Sequence, residues 1–159
     1  MVFPQLEAYT SGTVALNQGG TPEGRASAKE APTKEPKRVL VVEDDVAFGE
    51  QLRIALEHQG WEPSVAITAE EGLERAGTER PDLIVLDIIL PDLSGFELLA
   101  RLKGDKRTWQ VPVLMFSNLD EPEDVRHAKE LGALDFLSKS RHDVATVVRR
   151  IEKFFKDGR

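Results

Sequence analysis

The chain has no cysteine among its 159 residues. Disulfides, thiolate metal sites and cysteine nucleophiles are therefore excluded. Basic charge is also short: 21 Lys and Arg stand against 28 Asp and Glu, a net charge of −7. No basic footprint is present, so direct nucleic-acid binding is not expected. No apolar run approaches the roughly 20 residues that span a bilayer. The N-terminus has neither the basic start nor the apolar stretch of a secretory signal. No membrane association is expected, and a cytoplasmic protein is the default reading. The histidines, His58, His127 and His142, are too dispersed to suggest a metal site.

Hydrophobic residues make up 40% of the chain and charged residues 31%, which fits a globular domain with a real core. The length suits one domain. Residues 1–36 differ from the rest: four Gly (12, 19, 20, 24) and four Pro (4, 22, 32, 36) stand among scattered Ser, Thr and Ala. Such a stretch buries too little apolar surface to offset its ordering entropy. It is expected to be a flexible tail or linker, with Val14-Ala15-Leu16 as its one candidate docking element. The folded domain is expected over 37–159.

From Lys37 the pattern becomes regular. Val39–Val42 is a short apolar run of the kind a buried strand presents. Asp44 or Asp45 can cap the next helix, which carries Phe48, Leu52, Ala55 and Leu56 and ends at Gly60. Glu62–Ile67 reads as a second strand. Thr68 and Glu71 form a capping-box pattern for a second helix. Asp82–Asp87 reads as a third strand, and a Ser94-capped helix runs to about Lys103. Val111–Phe116 is the fourth strand, Glu121–Leu131 the fourth helix, and Leu134–Ser138 the fifth strand. Trp61 and Trp109 are expected to pack at strand starts. The last helix has a one-sided apolar face of Val144, Val147, Val148, Ile151, Phe154 and Phe155. That face is expected in the core, with the phenylalanines able to add to a partner surface.

Strand and helix thus alternate five times, which implies right-handed crossovers and a parallel sheet covered on both faces. The expected class is α/β: a five-stranded, parallel, doubly wound, flavodoxin-like (βα)5 sheet of order 2-1-3-4-5. Ligands of such sheets bind at the carboxyl ends of the strands, at the switch point between strands 1 and 3. Those two strands end in Glu43-Asp44-Asp45 and in Asp87.

Unpaired carboxylates brought together repel one another. A hard divalent cation such as Mg²⁺ relieves that repulsion and can also hold a phosphate. A neutralised carboxylate can then act as a nucleophile and form an aspartyl phosphate. Ser117 and Lys139 end strands 4 and 5, which places a hydroxyl and an ammonium at the same edge. Phosphoryl transfer needs chiefly positioning and charge stabilisation, and this set suffices for it.

The constellation resembles the receiver domain of two-component response regulators, including the stand-alone chemotaxis type. The resemblance spans about Lys37 to Phe155. It rests on four motifs in order: Val41-Val42-Glu43-Asp44-Asp45, Leu86-Asp87-Ile88-Ile89-Leu90-Pro91 with Gly95, Pro112-Val113-Leu114-Met115-Phe116-Ser117, and Gly132-Ala133-Leu134-Asp135-Phe136-Leu137-Ser138-Lys139. The resemblance implies that Asp87 is the phosphoacceptor. Glu43, Asp44 and Asp87 would hold Mg²⁺ together with the backbone carbonyl of Ile89. Ser117 matches the switch hydroxyl, Lys139 the lysine that pairs with the phosphoryl group, and Phe136 the aromatic switch. A histidine kinase or histidine phosphotransfer protein would be the donor. A protein target would read the face made by the fourth helix, fifth strand and fifth helix. A monomer or weak dimer is expected, with output through a partner, a dimer or something attached to the tail.

Two positions depart from the family. Asn118 follows the switch hydroxyl where a small residue is common, and it is expected to narrow access to Asp87. Ser140 follows the lysine where proline is common, which leaves the course of that loop open. Three other functions compete. An aspartyl-nucleophile Mg²⁺ phosphatase would carry a second Asp two residues after the nucleophile, where Ile89 stands. A flavodoxin would have to place a phosphate against Glu43-Asp44-Asp45, which repels it. A phosphorylation-independent adaptor would keep the fold without the chemistry. The resemblance also implies that the side chains two residues after the acceptor and two after the switch hydroxyl lie near the path of hydrolytic water; here they are Ile89 and Leu119, both apolar, so a long-lived phosphoryl group is expected.

Overall fold

The computed structural model describes residues 34–158. The candidate docking element Val14-Ala15-Leu16, and nearly all of the expected tail, lie outside them. The described residues form β1 (Arg38–Val42), α1 (Val46–Glu57), β2 (Glu62–Ala66), α2 (Ala69–Glu79), β3 (Leu83–Leu86), α3 (Gly95–Gly104), β4 (Val113–Ser117), α4 (Pro122–Glu130), β5 (Asp135–Ser138) and α5 (Val144–Asp157). The strands make one sheet in the order β2-β1-β3-β4-β5, and every neighbouring pair is parallel. This is the flavodoxin-like α/β fold expected from the alternation.

Side chains alternate across a strand, so each central strand feeds two cores. Leu40, Val42, Ile84, Leu86 and Met115 face α2, α3 and α4, where they meet Ala69, Ala76, Leu98, Leu99, Leu102 and Ala128. Val39, Val41, Leu83, Val85, Leu114 and Phe116 face α1 and α5, where they meet Leu52, Leu56, Val147, Val148 and Ile151. The apolar face of α5 is core, as its pattern implies. Phe155 stacks edge-on against Trp61 at 5.2 Å, both partly buried against this second core. Trp109 differs from expectation: it lies in the loop before β4 and is 53% exposed.

Several ends fall short of the apolar pattern for local reasons. Asp82 lies just outside β3, where its N–H donates to Arg38 O and its carboxylate accepts the Arg38 N–H, both at 2.8 Å. The capping box at α2 closes one residue early: Thr68 Oγ1 accepts from Glu71 N, while the Glu71 carboxylate accepts from Ile67 N at 3.0 Å. Asp45 caps α1 by accepting from Phe48 N. It therefore serves the helix, and Glu43 and Asp44 are left for the crevice.

Candidate functional site

Register sets the site. Val42 pairs with Leu86 on one side and Ala66 on the other. Asp87 N donates to Val42 O at 3.0 Å and Glu43 N to Ala66 O at 2.9 Å. The residues just past β1 and β3, Glu43 and Asp87, therefore lie side by side. Ser117 pairs with Ser138, so Lys139 follows directly and its N–H donates to Ser117 O at 2.9 Å. Ser117 closes β4 itself, one residue beyond the apolar run.

Lys139 joins the two carboxylates. Its ammonium donates to Asp87 Oδ2 at 2.8 Å and to Glu43 Oε2 at 2.5 Å. It also lies 4.5 Å from the centre of the Phe48 ring. Glu43 and Asp87 are buried. Asp44 is exposed, but its carboxylate still falls within 4.8 Å of theirs. Two buried acids thus share one ammonium, with a third acid beside them. Burial pushes the Glu43 carboxyl up, and the charge of Asp87 adds to that against the hydrogen bond from Lys139. Burial pulls Lys139 down, but hydrogen bonds and charges from Asp87 and Glu43 outweigh it and hold the ammonium above its ordinary value.

The loop after β3 is built around close backbone approach. Gly95 N donates to Ile88 O at 2.7 Å. A Cβ at Gly95 would sit 2.1 Å from Asp87 O, so only glycine fits. Ile89 N donates to Asp87 Oδ1 at 3.3 Å, while the Ile89 side chain is exposed. Further along, Asp92 accepts from Ala69 N and Glu70 N at 2.8 and 2.9 Å. It pins this loop to the start of α2, a role with no local sequence signal because its partners are 22 and 23 residues away.

The remaining expected residues divide. Ser117 is fully buried, and its hydroxyl accepts from Leu119 N at 3.3 Å. Phe136 is partly buried and packs on the core beneath α2, α3 and α4. Asn118 is exposed in the loop after β4. Ser140 settles the loop after β5. No cis peptide occurs among the described residues, and Ser140 N donates to Ser138 Oγ at 3.2 Å. Proline has no N–H and could not make that bond.

A doubly wound domain with an acidic crevice at its switch point is the class that fold and site define. The response regulator receiver domain family matches residues 39–152. The transcriptional regulatory protein CrdR of Helicobacter pylori is 34% identical over 121 residues, which is 76% of this chain and 56% of CrdR. The alkaline phosphatase synthesis transcriptional regulatory protein PhoP of Bacillus subtilis is 41% identical over 103 residues, 65% of this chain and 42% of PhoP. The chain therefore spans about half the length of these curated relatives. A CheY-like receiver domain protein from Methanospirillum hungatei superposes with a TM-score of 0.71 at 28% identity, covering 77% of this chain and 95% of that one. The chain belongs to the response regulator receiver domain family, a family of regulatory signalling domains. Among the described residues, no helix is long and apolar enough to cross a membrane.

Proposed function

We propose that this domain is a phosphoacceptor switch of a two-component relay, with Asp87 as the acceptor. The observation that carries the reading is the Lys139 ammonium shared between Asp87 and Glu43 in the switch-point crevice. Asp87 supplies a nucleophilic oxygen, and its bond to phosphorus forms as the bond from phosphorus to the donor histidine breaks. Lys139 turns from the carboxylates to the arriving phosphoryl oxygens, a charge-assisted contact that suits it. Ser117 donates a hydrogen bond from its hydroxyl to one of those oxygens, and Phe136 follows the movement of that strand end.

The donor set fits Mg²⁺. All its ligands are oxygens, one carboxylate is open to water, and the local charge is negative. Glu43, Asp44, Asp87 and the Ile89 carbonyl would hold the ion, which when bound neutralises charge between an anionic donor and an anionic acceptor. Ile89 is a poor stand-in for the second acid of an aspartyl phosphatase, so the switch reading is preferred to that enzyme.

A histidine kinase or histidine phosphotransfer protein is the donor this reading requires. Among the described residues, Val46, Ile67, Ile89 and Leu119 are exposed apolar residues just past the carboxyl ends of β1 to β4. A rim of that kind suits a protein donor, since apolar contacts around an acidic crevice add affinity without repelling the phosphoryl group. Readout through the α4–β5–α5 face completes the proposal. The test is a fluoroberyllate titration with Mg²⁺ followed by amide NMR. Shifts at Ser117 and Phe136 that saturate together support the switch. A titration that moves neither residue refutes it.

A further inference from the structure

The loops that follow β4 and β5 are tied by side chains. Asp120 lies in the first loop, Ser138 and Ser140 at the start of the second. The Ser138 hydroxyl donates to Asp120 Oδ2, and the Ser140 hydroxyl donates to the same oxygen at 3.0 Å. The two hydroxyl oxygens lie 2.7 Å apart. Their two protons cannot fill three contacts, and the carboxylate is the stronger acceptor, so both go to Asp120. Ser138 Oγ keeps a lone pair for the Ser140 N–H. The Asp120 carboxyl is held below its usual range by the Ser138 and Ser140 hydrogen bonds, as this arrangement requires.

The tie lies beside the proposed chemistry. Asp120 is next to Leu119, whose N–H holds the Ser117 hydroxyl. Ser138 and Ser140 flank Lys139 on both sides. One carboxylate thus links the segment that carries the hydroxyl to the segment that carries the ammonium. The second loop is braced in turn, since Arg141 N and His142 N both donate to Ser138 O, at 3.2 and 2.9 Å. Arg141 reaches Asp120 only at 3.9 Å and is largely exposed, so it contributes little.

We propose that Asp120 is a positioning residue: with Ser138 and Ser140 it latches the β4–α4 loop to the β5–α5 loop and so sets how long a phosphoryl group on Asp87 survives. This rests on Asp87 being the acceptor. A latched loop keeps the Leu119 N–H on the Ser117 hydroxyl and so keeps Ser117 and Lys139 arranged together. A free loop loses that arrangement, admits water to the phosphoryl group and shortens its life.

The experiment phosphorylates the full chain with acetyl phosphate and Mg²⁺, removes the donor and follows decay of the phosphoprotein. Asp120→Ala and Ser140→Ala should each decay about threefold faster or more, as expected when a supporting hydrogen bond to a charged group is lost. The double variant should decay no faster than the faster single variant, because both remove one latch. Asp120→Asn, which can still accept a hydroxyl, should fall between wild type and Asp120→Ala. Amide exchange across residues 118–121 should quicken in the same order, a change that general destabilisation would spread over the whole sheet. Variants that decay at the wild-type rate, or rate effects that multiply in the double variant, overturn the latch. If Asp120→Ala fails to fold, Asp120→Asn takes its place beside Ser140→Ala: faster decay in both supports the latch, and wild-type decay in both overturns it. A wild-type chain that forms no phosphoprotein overturns the functional reading and the latch with it.

Discussion

At the scale of the residue, Lys139 carries the most consequence. Among the described residues it is the one cation in contact with two buried carboxylates, and it also lies on the Phe48 ring. Removing one side of a buried charge network costs more than the network contributes, because the other charges remain desolvated. Lys139→Ala in the absence of divalent cations should therefore lose about 3 kcal/mol of stability, read from urea unfolding in a chelating buffer. The same variant should gain more than wild type from added Mg²⁺, since the ammonium competes with the ion for the same oxygens. A variant that neither loses stability nor tightens its response to Mg²⁺ would contradict this account of the crevice. The exposed side chains of Ile89 and Leu119 frame the second expectation at this scale. Ile89→Asn and Leu119→Glu should each shorten the life of the phosphoprotein, by replacing an exposed apolar side chain with a polar one that can position water. Unchanged decay in both would remove the apolar rim from the explanation.

At the scale of the element, the loop from Asp87 to Gly95 leaves no room for a side chain at its end. Gly95→Ala would drive a methyl group into Asp87 O, and overpacking of that severity should cost about 3 kcal/mol and displace the acceptor. Gly72→Ala meets the Val42 side chain at 2.8 Å instead; a side chain yields more easily than a backbone, so its cost should be smaller. Urea midpoints of the two variants test the order. The same contrast explains what could be read from sequence. Strand order and the meeting of Glu43, Asp44, Asp87 and Lys139 follow from apolar runs and the rule for ligand sites on parallel sheets, although Lys139 and Glu43 are 96 residues apart. The Gly95 motif is visible too, though its reason, contact with the Asp87 carbonyl, is not. What escapes is side-chain pairing between loops. Asp92 on α2 and Asp120 on Ser138 and Ser140 obey no periodicity, and each joins residues 18 to 23 positions apart. Strand ends escape for a related reason: just before β3 the Asp82 carboxylate takes the Arg38 N–H, a contact that no apolar run records.

At the scale of the whole molecule, titration should give stability two limits. Asp105 is pushed down to about 2 by hydrogen bonds from Arg107, and Asp120 and Asp143 are held below their usual range by hydroxyl donors. Folded values below unfolded ones give stability that is present above the ordinary carboxylate value and lost as pH falls through the folded value. Glu43 runs the other way: its raised folded value means that acid relieves it, which partly offsets that loss. Lys139 is raised above 10.5, so its contribution is full below that pH and is lost as pH rises from there through the higher folded value. Urea midpoints should therefore fall below about pH 4 and again above about pH 10.5, with a shallower alkaline fall in Lys139→Ala. The central claim is that this family member still takes a phosphoryl group on Asp87. Intact-protein mass spectrometry after incubation with acetyl phosphate and Mg²⁺ tests it most directly. The account predicts a single phosphoryl adduct that needs Mg²⁺ and is lost in Asp87→Asn. No adduct on the wild-type chain, or one that persists in Asp87→Asn, would contradict it.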